Sequence, residues 1–179
     1  MGSKRIGLAR VEAMLENLKR EIDWGGITTF KGALPKTETL SSAGTVAAPT
    51  KTLTAADSGT TFFIDISSVS VVCTLPAPAA GLEYTFVLSA ASDGEGTKDF
   101  LLNTNSNDVD INGAVVVHNA LVEVTNATSA VAIDSSAGDA TCGDRLHVCC
   151  DGTDWYIDGH VDSASALVIN NAANGITPA

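Results

Sequence analysis

At 179 residues the chain is long enough for one well-buried core plus an appendage and too short for two full-sized domains. Its 45% hydrophobic and 17% charged residues exclude the balance that keeps a chain disordered, and the 5% aromatic content, beside abundant Val, Ala, Thr, Ser and Gly, favours many short strands and turns. Net charge is −11, but residues 1–20 carry five basic side chains against Glu12 and Glu16, a net +3 that leaves −14 for the remainder. An acidic body repels phosphate, so nucleic-acid binding is not expected of it.

No run approaches the roughly 18 to 20 apolar residues of a membrane span, and Met1-Gly2-Ser3-Lys4-Arg5 is not followed by an apolar signal core, so neither insertion nor export is expected. Gly2 invites N-myristoylation, but Ile6 stands where that pattern requires Ser or Thr. From Lys4 to about Ile22 the sequence predicts an amphipathic helix with Ser3 as N-cap. Val11, Leu15, Leu18 and Ile22 recur at i, i+4, i+7 and i+11, and Leu8 and Met14 widen the stripe. Gly25-Gly26 breaks it. The stripe could pack on the chain's own core or meet an external or inter-subunit partner. The charge reversal, the diglycine and the polar connection that follows favour the second.

Residues 25–51, with Gly32, Pro35, Gly44 and Pro49 among Thr, Ser and Ala, have no sustained periodicity and read as an extended arm or linker. The β domain is expected over 52–162. Its candidate strands are Thr61–Ile66, Val69–Leu75, Glu83–Ser89, Phe100–Leu102, Val109–Ile111, Ala114–His118, Leu121–Val124, Val131–Asp134, Arg145–Cys150 and Trp155–His160. Asp151-Gly152 and Asn112-Gly113 are hairpin signals. The tail, 163–179, has one apolar stretch, Ala166–Ile169, that could form an edge or exchanged strand. Short strands without helical segments between them predict a mainly β fold, an antiparallel β-sandwich or barrel preceded by the N-terminal amphipathic helix and extended arm. No regular 20–50 residue repeat is visible, which speaks against a propeller or solenoid.

Candidate chemistry is sparse, and no enzyme activity or cofactor is expected. His118, His147 and His160 accompany plentiful Ser, but no Gly-x-Ser-x-Gly elbow marks an activated nucleophile. Cys73, Cys142, Cys149 and Cys150 lack Cys-x-x-Cys spacing and read as buried free thiols, with the adjacent Cys149 and Cys150 pointing to opposite faces of a strand. His147, Cys149 and His160 could approach one another, yet the sequence indicates no further zinc ligand. Asp108-Val109-Asp110-Ile111-Asn112-Gly113 matches the first half of a calcium loop, but Asn119 occupies the position of the bidentate Glu and no helices flank it, so no metal site is assigned. The acids are scattered over turns with no aromatic platform for a glycosidase, and Asn126-Ala127-Thr128 is a glycosylation acceptor only in a secreted eukaryotic setting.

The opening segment, Met1-Gly2-Ser3-Lys4-Arg5-Ile6-Gly7-Leu8-Ala9-Arg10 through to Ile22, resembles the start of structural proteins of tailed bacteriophages, particularly those of aquatic bacteria. Leu53-Thr54-Ala55-Ala56-Asp57-Ser58-Gly59, the run from Thr74 through Pro76-Ala77-Pro78 to Gly81, Gly143-Asp144-Arg145, and Asp151-Gly152-Thr153-Asp154-Trp155-Tyr156 resemble a module common in phage virion proteins. Such motifs occur in capsid-decorating, tail and fibre proteins alike. For the capsid decoration (cement) class the resemblance implies a β domain, commonly a homotrimer, whose extended arm clamps neighbouring subunits of the major capsid protein. The protein would be made in the host cytoplasm and reside on the virion surface. The partner-binding residues would be Val11, Leu15, Leu18 and Ile22 for the apolar face and Lys4, Arg5, Arg10, Lys19 and Arg20 for steering and rim pairing. The alternatives are a tail or fibre component, whose helix would self-associate, and a host-surface carbohydrate-binding module using Trp155 and Tyr156.

Overall fold

The computed structural model describes residues 36–41, 50–91, 98–106, 109–125, 128–134 and 140–170. The chain divides into two units, Met1–Leu34 and Pro35–Ala179, and every described residue belongs to the second. The expected helix, its partner-binding residues from Lys4 to Ile22, and Asp108 lie outside the described residues.

The described residues form twelve strands: β1 (Lys36–Leu40), β2 (Thr50–Thr52), β3 (Thr60–Asp65), β4 (Val71–Thr74), β5 (Glu83–Ala90), β6 (Phe100–Asn103), β7 (Ile111–Val117), β8 (Ala120–Val124), β9 (Ala130–Ile133), β10 (Arg145–Cys150), β11 (Trp155–Val161) and β12 (Leu167–Asn170). They make a seven-stranded sheet, in the order β1-β3-β5-β10-β11-β7-β8, and a five-stranded sheet, β12-β9-β6-β4-β2. The fold is mainly β, as expected, but its sheets are mixed rather than antiparallel. β1, β3 and β5 run parallel to one another, as do β2, β4 and β6, and β7 is parallel to β11.

The parallel pairing follows from how the chain winds. β1 to β6 alternate between the two sheets, so each circuit returns the chain to the same sheet in the same direction, one strand further on. Thr37 aligns with Thr61 and Thr61 with Thr85, each step 24 residues, and Leu40, Ile64 and Leu88 align likewise. The first half is therefore coiled in the manner of a solenoid, an arrangement that the lack of a visible regular repeat spoke against. The period was hidden because the steps in the smaller sheet are unequal: Thr50 aligns with Val72 and Val72 with Leu101, 22 and 29 residues on. From β7 onward, hairpins and antiparallel partners replace the coil.

On the larger sheet, alternation decides which side chains enter the core. On β5, Tyr84, Phe86 and Leu88 are buried while Glu83 and Ser89 are exposed; on β10, Leu146, Val148 and Cys150 are buried. One cluster joins these to Phe62, Val71, Cys73, Phe100, Leu102, Val131 and Trp155 from both sheets. Phe86 of the larger sheet meets Phe100 of the smaller with ring centroids 5.2 Å apart, and Phe62 stacks on Phe86 at 5.5 Å. The arrangement is thus sandwich-like, and each fully buried large side chain contributes about 1.5–3 kcal/mol.

Two stretches depart from the sequence reading. Lys36–Leu40 and Thr50–Thr52, in the segment that lacks periodicity, form edge strands. Lys51 reaches from β2 to Glu38 on β1, lies 3.8 Å from Asp57, and stands 5.2 Å above the Phe62 ring, closing this end of the core. Asn112-Gly113 is not a turn: both residues lie inside β7, which begins at Ile111, so Val109–Ile111 is not a separate strand. The hairpin turns instead at His118-Asn119, both with positive φ (53° and 99°). Gly113 has φ +140°, and a Cβ there would fall 2.0 Å from the Ile157 carbonyl oxygen, so close approach of β11 requires the glycine.

Candidate functional site

Since β strands send alternate side chains outward, the outer face of the larger sheet is an ordered surface whose rows follow from register. One row crosses the sheet as Thr61, Thr85, His147, Asp158, Ala114 and Glu123. The next is Phe63, Val87, Arg145, His160, Val116 and Leu121, and on the other side lies Glu83, Cys149, Tyr156 and Asn112. Every large hydrophobic side chain that is exposed among the described residues stands on this face: Leu121 at 67%, Tyr156 at 42% and Val116 at 39%.

The titratable groups that come together on this face are His147, Asp158 and Cys149. His147 Nδ1 lies 2.9 Å from Asp158 Oδ1 across β10 and β11, and Cys149 is two residues further along the same face. A Cys-His-Asp nucleophile would need an easily ionised thiol. Partial burial, then the nearby Asp158, Cys150, Glu83 and Asp151, push the Cys149 thiol up instead. His160 aligns with Arg145, and Cys149 with Tyr156, so His147, Cys149 and His160 sit in successive positions rather than around one point. Among the described residues no group of three or more His, Cys, Asp or Glu is placed to hold a metal ion.

The cysteines are all free, but Cys142 and Cys149 are exposed, which corrects the expectation that all four are buried. The reason for Cys149 is its outward phase on β10, opposite to Cys150. Cys73, in contrast, is held in the core, and burial pushes its thiol up to about 12.

The hairpin signal at Asp151-Gly152 is real, and it fixes the surroundings of the two aromatics. Asp151 Oδ1 accepts hydrogen bonds from the Thr153 and Asp154 backbone N–H groups, and its Oδ2 accepts one from the Tyr156 hydroxyl at 3.0 Å. These bonds hold the Asp151 carboxyl below its usual range, and the bond to Asp151 pushes the Tyr156 hydroxyl up. Trp155 is fully buried, its ring 5.8 Å from Tyr84. Trp155 therefore cannot stack on a sugar, and of the two aromatics only Tyr156 is exposed.

The exposed pair Val116 and Leu121 was not singled out from sequence. The available signal was the loss of alternation in Val115-Val116-Val117 and Leu121-Val122, where both faces of a hairpin are apolar although one faces solvent. Comparison of the chain with models of known families, and with characterised proteins, finds no match.

Proposed function

We propose that this protein is a structural component of a phage virion that binds the outer capsid surface and cements neighbouring capsid subunits through its N-terminal arm. The observation that carries the reading is the charge division in the sequence: a basic, amphipathic segment with net +3 over residues 1–20, ahead of an acidic remainder at −14. A cement protein needs that division of labour. The arm supplies an apolar stripe (Val11, Leu15, Leu18, Ile22) and cationic flanks (Lys4, Arg5, Arg10, Lys19, Arg20), while the β body is a rigid platform. If the protein is a trimer, three arms act together, so modest individual contacts are amplified by effective concentration.

Supporting the reading is the platform itself, two sheets sharing one hydrophobic core. The test is co-sedimentation with undecorated capsids, comparing the full chain, a chain lacking residues 1–30, and Leu15→Asp with Leu18→Asp. Saturable binding at hundreds of copies per particle, lost in both variants, is the expected result. No binding by the full chain transfers the assignment to a tail or fibre component.

A further inference from the structure

Among the described residues, the larger sheet ends in two edges without a further strand, and the two differ in character. β1 carries Lys36 and Glu38, and its neighbour at the same end of the smaller sheet, β2, carries Lys51; charged side chains of this kind discourage a further strand from adding. β8 reads Ala120-Leu121-Val122-Glu123-Val124, without Lys, Pro or bulge, and among the described residues no strand lies on its outer side. β12, the other apolar edge, keeps Leu167, Val168 and Ile169 half-buried, whereas Leu121 is 67% exposed.

The hydrogen-bond phase of β8 follows from its turn. The two-residue turn at His118-Asn119 makes Val117 and Ala120 a bonded pair, so Ala120, Val122 and Val124 direct their backbone groups to β7. The backbone N–H of His118 bonds to Val161 O of β11, which sets the same phase on β7 independently. Leu121 and Glu123 therefore present their N–H and C=O outward, and the one exposed large apolar side chain on that edge is Leu121.

We propose that β8 is a self-association edge that pairs antiparallel with β8 of a second copy of this chain, about a two-fold axis at Leu121. That register makes Leu121 opposite Leu121 a bonded pair and sets the two side chains side by side, each flanked by its own Val116, so that the apolar end of the row continues across the seam. It also places Glu123 of each chain opposite Asn119 of the other, so the two carboxylates are kept apart. A register centred between Glu123 residues would oppose like charges. Strand pairing of this length falls at the weak, small end of protein interfaces, so association is reversible and concentration-dependent. Both copies carry a net charge of −11, so salt strengthens the association by screening their repulsion.

The test uses the full chain with the exposed thiols removed (Cys142→Ser, Cys149→Ser), adding either Leu121→Cys or Glu123→Cys. Two Cα atoms in a bonded antiparallel pair lie about 5.5 Å apart, within disulfide reach, whereas residues 123 lie roughly 13 Å apart in this register. The expected result is rapid covalent dimer from the Leu121→Cys chain under mild oxidation and little from Glu123→Cys. In sedimentation velocity, association should increase with salt and be lost in Leu121→Lys, with the circular dichroism spectrum and melting temperature unchanged. Equal cross-linking at both positions, or sedimentation of the parent chain as a monomer at high micromolar concentration, overturns the proposal. Neither readout involves capsids, so its failure is separate from any failure of the capsid-binding role.

Discussion

Gly113 shows how a single residue can be read correctly as unusual and placed wrongly. Asn-Gly between apolar runs is the strongest local hairpin signal, and it arises because two successive residues with positive φ suit a tight turn. Here only the glycine is required, and for a tertiary reason: the Ile157 carbonyl of β11 occupies the space a side chain would need. The turn moves to His118-Asn119, where Asn is among the few non-glycine residues that tolerate positive φ. Local sequence cannot reveal which strand will lie beside a given residue in the sheet, nor how closely. Gly113→Ala adds both a steric overlap and an unfavourable backbone conformation, and should cost about 3 kcal/mol or more. Chemical denaturation of the two proteins measures it; a loss below about 1 kcal/mol would mean that β7 and β11 separate easily at this point.

At the scale of elements, strands with clean alternation and a buried partner on each side were legible. Arg145–Cys150 is β10 without change, and the inward set Tyr84, Phe86, Leu88 on β5 follows from period two alone. β1 and β2 were not legible, because Lys-Thr-Glu-Thr-Leu and Thr-Lys-Thr contain almost no apolar phase. They persist through pairing on one side and through the Lys51 contacts to Glu38, Asp57 and Phe62. Burial tends to raise the Asp57 carboxyl, but hydrogen bonds from Thr54 and the charges of Lys51 and Lys36 outweigh it, so its net shift is downward. A carboxyl lowered in the folded state adds stability above its ordinary value of 3.8, and that stability is lost as pH falls through the folded value. Lys51→Ala should therefore cost about 1–2 kcal/mol near neutral pH, from a partly buried ion pair and a cation over an aromatic ring. The difference from the parent should shrink in acid below 3.8. Amide exchange in β1 should accelerate in the variant more than exchange in β10 or β11; uniform acceleration would show that β1 and β2 do not fray as an end.

For the whole molecule, topology was the least legible property and charge distribution the most. Strand direction depends on whether the chain crosses between sheets or turns back within one, and period-two patterning is identical in both cases; only the 24-residue alignment of Thr37, Thr61 and Thr85 carries the distinction. Charge, however, divides at the sequence level, and it gives the two proposed interactions opposite responses to salt. Raising ionic strength from 0.1 M to 1 M shortens the screening length from about 10 Å to about 3 Å. Capsid docking by a cationic arm should weaken over that range, since Lys4, Arg5, Arg10, Lys19 and Arg20 lose their steering, while the apolar stripe retains part of the affinity. Pairing of two acidic bodies through β8 should instead tighten. Replacing Arg10 and Lys19 with Gln should flatten the salt dependence of co-sedimentation with capsids, whereas self-association, with two cationic charges fewer on each chain of net charge −11, should remain at least as strongly promoted by salt. If the double replacement left the capsid response as steep as before, the arm's charges would not be what the capsid surface reads.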